Sequence, residues 1–181
     1  MRIRVAEDAV PRKYQAFHRA TVLLFWLPAF FFYGCEARDG ASNSGASATL
    51  IPDLLADPTG TYTIESVTEP PVASRFRPAA APHPNLGFSH PALWLRVWIP
   101  PSTDRDARLL ELGYALLDRV VIFRTQPDGT RQAVTVGDRQ PFAEREIQNR
   151  NFLFLIPPSK TPQRIYIRVD TEGPMVLPLT L

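Results

Sequence analysis

Two short stretches carry side chains whose types and spacing suit the stacking of rings and the reading of hydroxyls. Trp94, Arg96 and Trp98 alternate along Ala92-Leu93-Trp94-Leu95-Arg96-Val97-Trp98-Ile99, and Tyr166, Arg168 and Asp170 alternate along Gln163-Arg164-Ile165-Tyr166-Ile167-Arg168-Val169-Asp170. In a strand successive side chains point to opposite faces, so each set falls on one face and Leu93, Leu95, Val97, Ile99, Ile165, Ile167 and Val169 fall on the other. Flat aromatic rings stack on the apolar face of a sugar while fixed polar groups read its hydroxyls, and a guanidinium fork also grips a carboxylate through two parallel bonds. The same residue types serve two other ends. They fill a second core layer, with Arg96 and Arg168 paired to Glu111 or Asp170 to fasten neighbouring strands, and they favour docking of a partner protein or a second copy.

The elements that must hold these faces follow from the turn chemistry. Thr49-Leu50-Ile51 begins a strand, Asp57-Pro58-Thr59-Gly60 is a turn, and Thr61 to Val67 is either a strand or a short helical turn capped by Thr63. Pro70 to Pro84, rich in proline and alanine around Phe76, reads as an extended crossing segment. Ala92 to Ile99 is a strand, Pro100 to Asp104 a loop, and Ala107 to Tyr114 and Asp118 to Arg124 are further strands. Gln126-Pro127-Asp128-Gly129-Thr130 then carries an Asp-Gly hairpin signal, with Arg131 to Val136 as the returning strand. Gly137 to Phe142 breaks the pattern, and in the polar stretch around it Asp138, Arg139, Arg145 and Asn151 read as hydrogen-bonders that fix loops. Asn151 to Ile156, Gln163 to Asp170 and Met175 to Leu181 complete roughly eight short strands, the spacing of an all-β sandwich or jelly roll.

Composition limits the chemistry. In 181 residues with a formal net charge of +2 there is no charge excess to hold nucleic acid, and 45% hydrophobic residues suffice for one core. Nineteen prolines against nine glycines suit short strands and proline-punctuated turns better than a helical bundle. Cys35 is the single cysteine, so neither an internal disulfide nor a thiolate metal site is available, and no cofactor is expected. His83 and His90 lie in proline-flanked loops without a second histidine at ligand spacing, Ser89 beside His90 has no nucleophile-elbow turn, and Glu144, Glu146 and Asp138 among Arg139, Arg145 and Arg150 read as solvated ion pairs rather than a glycosidase pair. A binding protein rather than an enzyme is the expectation.

The N-terminus reads as an export signal or membrane anchor. Arg2, Arg4, Arg12, Lys13 and Arg19 precede an apolar run from Ala20 to Gly34, roughly fifteen residues, short for a bilayer span of about twenty. Cleavage, retention as an anchor and lipidation at Cys35 are all open; for the last, Phe32 and Tyr33 stand where a leucine and a small residue are usual. The domain plan is a signal or membrane anchor over 1–35, a small, polar linker over 36–48 and the folded domain over 49–181.

Taken in order, Asn85-Leu86-Gly87-Phe88, Ala92-Leu93-Trp94-Leu95-Arg96, Leu110-Glu111-Leu112, Gly137-Asp138-Arg139-Gln140-Pro141-Phe142, Arg150-Asn151-Phe152, Ile165-Tyr166-Ile167-Arg168-Val169 and Leu177-Pro178-Leu179-Thr180-Leu181 form a specific series. It resembles the type 2 extracellular domain of bacterial receptors with seven transmembrane segments and diverse intracellular signalling modules. The resemblance runs from about Leu50 to Leu181. It implies a jelly-roll periplasmic sensor domain similar to carbohydrate-binding modules. The aromatic and arginine-bearing face adds a small extracellular ligand such as a carbohydrate, or alternatively a second copy in a homodimer, as the expected partner, and the N-terminal segment or following membrane spans would attach the domain to the inner membrane. In whole receptors the domain precedes a seven-helix membrane region and a cytoplasmic kinase, diguanylate cyclase or phosphodiesterase. This chain stops at Leu181, ahead of those parts, so a receptor fragment and a stand-alone exported domain both remain open and no output is assigned.

Overall fold

The computed structural model describes residues 47–88, 91–103, 106–126 and 128–181. The leader, Cys35, nearly all of the linker, and Ser89 and His90 lie outside the described residues. The described chain forms β1 (Asp53–Asp57), α1 (Ile64–Thr68), a 3-10 turn (Val72–Arg75), β2 (Arg77–Pro78), β3 (Asn85–Phe88), β4 (Ala92–Ile99), β5 (Arg108–Leu112), β6 (Arg119–Thr125) and β7 (Arg131–Val136). A second 3-10 turn (Phe142–Glu144), β8 (Phe152–Ile156), β9 (Gln163–Asp170), β10 (Pro174–Val176) and β11 (Leu179–Thr180) follow.

A six-stranded sheet in the order β2-β1-β4-β9-β6-β7 faces a three-stranded sheet in the order β11-β5-β8, with β10 and β3 paired beside them. The architecture is an all-β sandwich. Alternation dictates its core: Leu93, Leu95, Val97 and Ile99 of β4, Ile165, Ile167 and Val169 of β9, and Val120 and Ile122 of β6 meet Leu110, Leu112, Phe152, Phe154 and Ile156 from the smaller sheet. Burial of several large apolar side chains, each contributing about 1.5–3 kcal/mol, is what holds the layers together. The Asp-Gly hairpin joins β6 to β7 in the register Val120↔Val136 through Thr125↔Arg131.

The structure departs from the expected elements at several places, beginning with Asn85–Phe88, which forms an additional strand paired with β10. Thr49 makes only an isolated bridge to Thr180, and the first strand starts at Asp53. Met175 to Leu181 divides into β10, paired with β3, and β11, paired with β5; Pro178 lies between them and has no N–H with which to continue a ladder. The crossing segment after Glu69 is only partly extended, because it contains the 3-10 turn.

Of the two readings open for Thr61 to Val67, the helical one holds. Thr63 accepts from Ser66 N–H, and the Ser66 hydroxyl in turn accepts from Thr63 N–H, closing a capping box. The approach to this helix is set by Asp57, fully buried, whose carboxylate accepts from the Thr59 hydroxyl at 3.2 Å, Thr61 N–H at 3.2 Å and Tyr62 N–H at 2.9 Å. Hydrogen bonds to a buried charge contribute about 1.5–3 kcal/mol, so Asp57→Ala is expected to lower the unfolding free energy by about 2 kcal/mol in urea titration, and Asp57→Asn by less because it keeps an acceptor oxygen. An unchanged midpoint in Asp57→Ala would show that the turn forms without it.

Candidate functional site

Residues 61–78 cross the outer face of the large sheet and turn part of it into a second core. Ile64 and Val67 of α1 and Phe76 pack on Leu55, Trp94 and Tyr166. The two stretches singled out in the sequence are adjacent strands, with Trp94 opposite Arg168, Arg96 opposite Tyr166 and Trp98 opposite Arg164. Along β4 the outward residues nevertheless meet three environments. Trp94 is 1% exposed, Arg96 is half-buried, and Trp98 is 50% exposed with the Arg164 guanidinium 4.4 Å above its ring.

Both outward arginines fasten the crossing segment. Arg96 donates through Nε and Nη2 to Asp53 at 2.9 and 2.7 Å and through Nη1 to Ala73 C=O at 3.3 Å, with Phe76 packed 4.6 Å from its guanidinium carbon. Its carboxylate partner is thus Asp53, not Glu111 or Asp170. Arg168 donates to Asp170 from Nε and Nη2, to Tyr62 C=O at 3.2 Å and to Gly60 C=O at 3.0 Å. Tyr166 is buried edge-on against Phe76, with ring centres 6.1 Å apart. Asp170 receives Arg168 and, at 3.3 Å, Arg119.

The loop residues lie elsewhere. Asn151 donates to Glu111 at 2.5 Å. Arg145 donates to Asn149 and Arg150 C=O at 2.6 and 3.0 Å and lies between Phe142 and Phe152. Asp138 is exposed, and its backbone N–H donates to Leu117 C=O. None of the three borders the clefts described next.

The crossing segment leaves the β6 side of the outer face accessible. Tyr62, Thr63 and Ile64 on one side and Trp94, Arg119, Val121, Phe123 and Arg168 on the other line a cleft of about 280 Å³. Trp94 and Phe123 stack there with ring centres 5.6 Å apart at 23°. The Trp94 indole N–H is buried with no hydrogen-bond partner among the described residues, although a buried indole N–H ordinarily finds one. A second cleft of about 300 Å³ shares Arg119 and is bordered by Asp118, Arg139, Gln140, Asp170 and Glu172. In it the Glu172 carboxylate, hydrogen-bonded to Arg139, raises the guanidinium's pKa above its ordinary value, and Asp118 adds to the effect. Among the described residues no group of His, Cys, Asp and Glu is placed to hold a metal ion.

Three residues outside the predicted site matter here. Phe123 and Arg119 shape the clefts and were legible only as one parity of β6. Arg124, on the opposite parity with Val120 and Ile122, is a buried cation on the core side. It binds Glu146 bidentately at 2.9 and 2.6 Å, Gln132 at 3.0 and 2.9 Å, and Leu155 C=O. Glu146, weighed in the sequence as an acid for hydrolysis, is one half of this clamp between the sheets.

The family model for 7TMR-DISM extracellular 2 matches residues 52–181, more than half of the chain. The chain belongs to this family. As a 7TMR-DISM extracellular 2 domain it is an extracellular sensor domain of a transmembrane receptor, and its place is outside the cytoplasm. The match covers the sandwich, the crossing segment and every residue of both clefts, so the site described above is part of the 7TMR-DISM domain proper. No curated protein matches the chain.

Proposed function

We propose that this domain senses a small carbohydrate in the periplasm, binding it in the cleft between the α1 segment and β6 without catalysing its turnover. The observation that carries the reading is a cleft walled by Tyr62, by the stacked rings of Trp94 and Phe123 and by the Arg119 and Arg168 guanidiniums. A ligand ring would pack on the aromatic wall while the guanidiniums and the Thr63 hydroxyl read its polar groups. Because Arg168 binds Gly60 and Tyr62 C=O, occupancy would bias how the crossing segment seats on the sheet, and that shift in population is what a membrane region would read. In this reading residues 1–35 serve as export signal or inner-membrane anchor, with Cys35 as a lipidation site in one processing outcome. Residues 36–48 are then the linker and 49–181 the sensor.

Titrating the full chain with cell-wall oligosaccharides while following tryptophan fluorescence tests it. Saturable quenching is expected, weakened about tenfold by Phe123→Ala, the order of one lost stacking contact. A second reading rests on Trp98, half exposed on the same face, which suits docking of another protein or copy. No response to any sugar, combined with concentration-dependent dimerisation that Trp98→Ala abolishes, would replace the ligand reading with that one.

A further inference from the structure

Two arginines of the outer face donate from all three of their nitrogens, Arg96 to Asp53 and Ala73 and Arg168 to Asp170, Gly60 and Tyr62, while Arg139 beside them is engaged through Nη2 by two carboxylates, Glu172 and Asp118. Arg119 differs. Its side chain is 48% exposed, and among the described residues its single hydrogen bond runs from Nη1 to Asp170 at 3.3 Å, which leaves most of its five N–H donors uncommitted there. Asp170 does not depend on that bond, because Arg168 holds it from Nε and Nη2 at 3.2 and 3.1 Å. Arg119 is also the residue common to both clefts.

The two clefts differ in charge. The 280 Å³ cleft is lined by two guanidiniums, Arg119 and Arg168, and by no carboxylate among the described residues, whereas the other sets three carboxylates, Asp118, Asp170 and Glu172, against Arg119 and Arg139. An anionic group is therefore favoured on the aromatic side of Arg119 over the far side. Resting on the carbohydrate reading above, we propose that the ligand is an acidic sugar of the uronate type. Its ring lies against Phe123 and Tyr62 and its carboxylate takes two parallel N–H donors of Arg119. The fork of a guanidinium matches a carboxylate bidentately, which a lysine ammonium does not. A cleft of about 280 Å³ sits at the small end of ligand sites, which run from about 300 Å³ upward, and so accommodates a single saccharide unit rather than a chain.

Calorimetric titration of the full chain with methyl β-D-glucuronide and methyl β-D-glucoside decides it. The glucuronide is expected to bind at least tenfold more tightly at low salt, with the preference shrinking as salt screens the pair. Arg119→Gln is expected to bring the two affinities together, and Arg119→Lys to keep only part of the preference. Thermal unfolding of both variants is expected to match the parent because the side chain is exposed. Equal affinities in the parent would overturn the acidic-sugar assignment while leaving a neutral-sugar sensor standing, and a preference that survives Arg119→Gln would overturn it equally. Binding of neither glycoside removes the carbohydrate reading and this assignment with it.

Discussion

Alanine at position 137 is expected to lower the unfolding free energy by about 3 kcal/mol or more, the upper range for a single small substitution. Gly137 follows β7 with φ at +158°, and its backbone lies against the start of β6. A Cβ there would stand 2.1 Å from Asp118 O, 2.7 Å from Asp118 C and 2.9 Å from Arg119 Cα. All three are backbone atoms, so no rotamer change relieves the overlap. Either β6 shifts, dragging the fully buried Val120 next to it, or the loop lifts and gives up the Asp138 N–H to Leu117 C=O bond of 2.9 Å. Overpacking alone costs about 1–3 kcal/mol, and a sparsely populated positive-φ conformation adds about 1–3 kcal/mol for a residue with a Cβ. Gly129 supplies the comparison: its φ is +84°, but nothing lies within 4 Å of its Cβ position, so Gly129→Ala should show the backbone term alone. Urea titration of both variants, with slopes equal to the parent, measures the difference. If the two midpoints fall by equal amounts, close approach at Gly137 is not what matters. Arg119, whose Cα the added Cβ would crowd, lines the proposed ligand cleft, so glycoside titration of Gly137→Ala should also show a disturbed site.

Which parts of this domain were legible follows from which interactions are local. The inward set Leu93, Leu95, Val97 and Ile99 was readable because a strand has one period and the core takes one parity of it. The β6–β7 hairpin was readable because Asp128-Gly129 fixes the turn, and the Thr63 cap because its partner is three residues away. The outer face was not. Trp94 and Trp98 share a parity and a strand, yet one is buried and the other half exposed, because α1 and the 3-10 turn reach only part of β4. That difference is created by residues about twenty to thirty positions earlier in the chain, beyond anything a period of two encodes. The roles of Arg96 and Arg168 hung on the same segment: their carbonyl partners, Ala73, Gly60 and Tyr62, are backbone groups of the crossing residues. Arg124 did leave a signal, a cation on the parity of Val120 and Ile122, which in a strand facing a core demands a buried partner.

The partner is Glu146, and asymmetry in burial makes the clamp testable. Arg124 is 4% exposed while the Glu146 side chain is 22% exposed, so the two are not equivalent when one is removed. Glu146→Ala leaves a guanidinium inside the sandwich with only Gln132 and Leu155 C=O as acceptors, and a buried charge stripped of its counterion costs about 3–5 kcal/mol. Scaled down for the retained acceptors, about 3 kcal/mol is expected. Arg124→Met leaves instead a carboxylate that reaches water and still accepts from Leu155 N–H at 3.3 Å, so a smaller loss of about 1–2 kcal/mol is expected. Replacing both, Arg124→Met with Glu146→Leu, exchanges an ion pair for apolar contact and should regain part of what Glu146→Ala loses, because desolvation of the two charges offsets much of their attraction. With the single Glu146→Leu variant added, a double-mutant cycle in urea reads the coupling directly. Losses that simply add would mean that Arg124 and Glu146 act independently, and that the end of the sandwich at β6 and β8 is held by the apolar core of Ile122, Phe154 and Ile156 rather than by this pair.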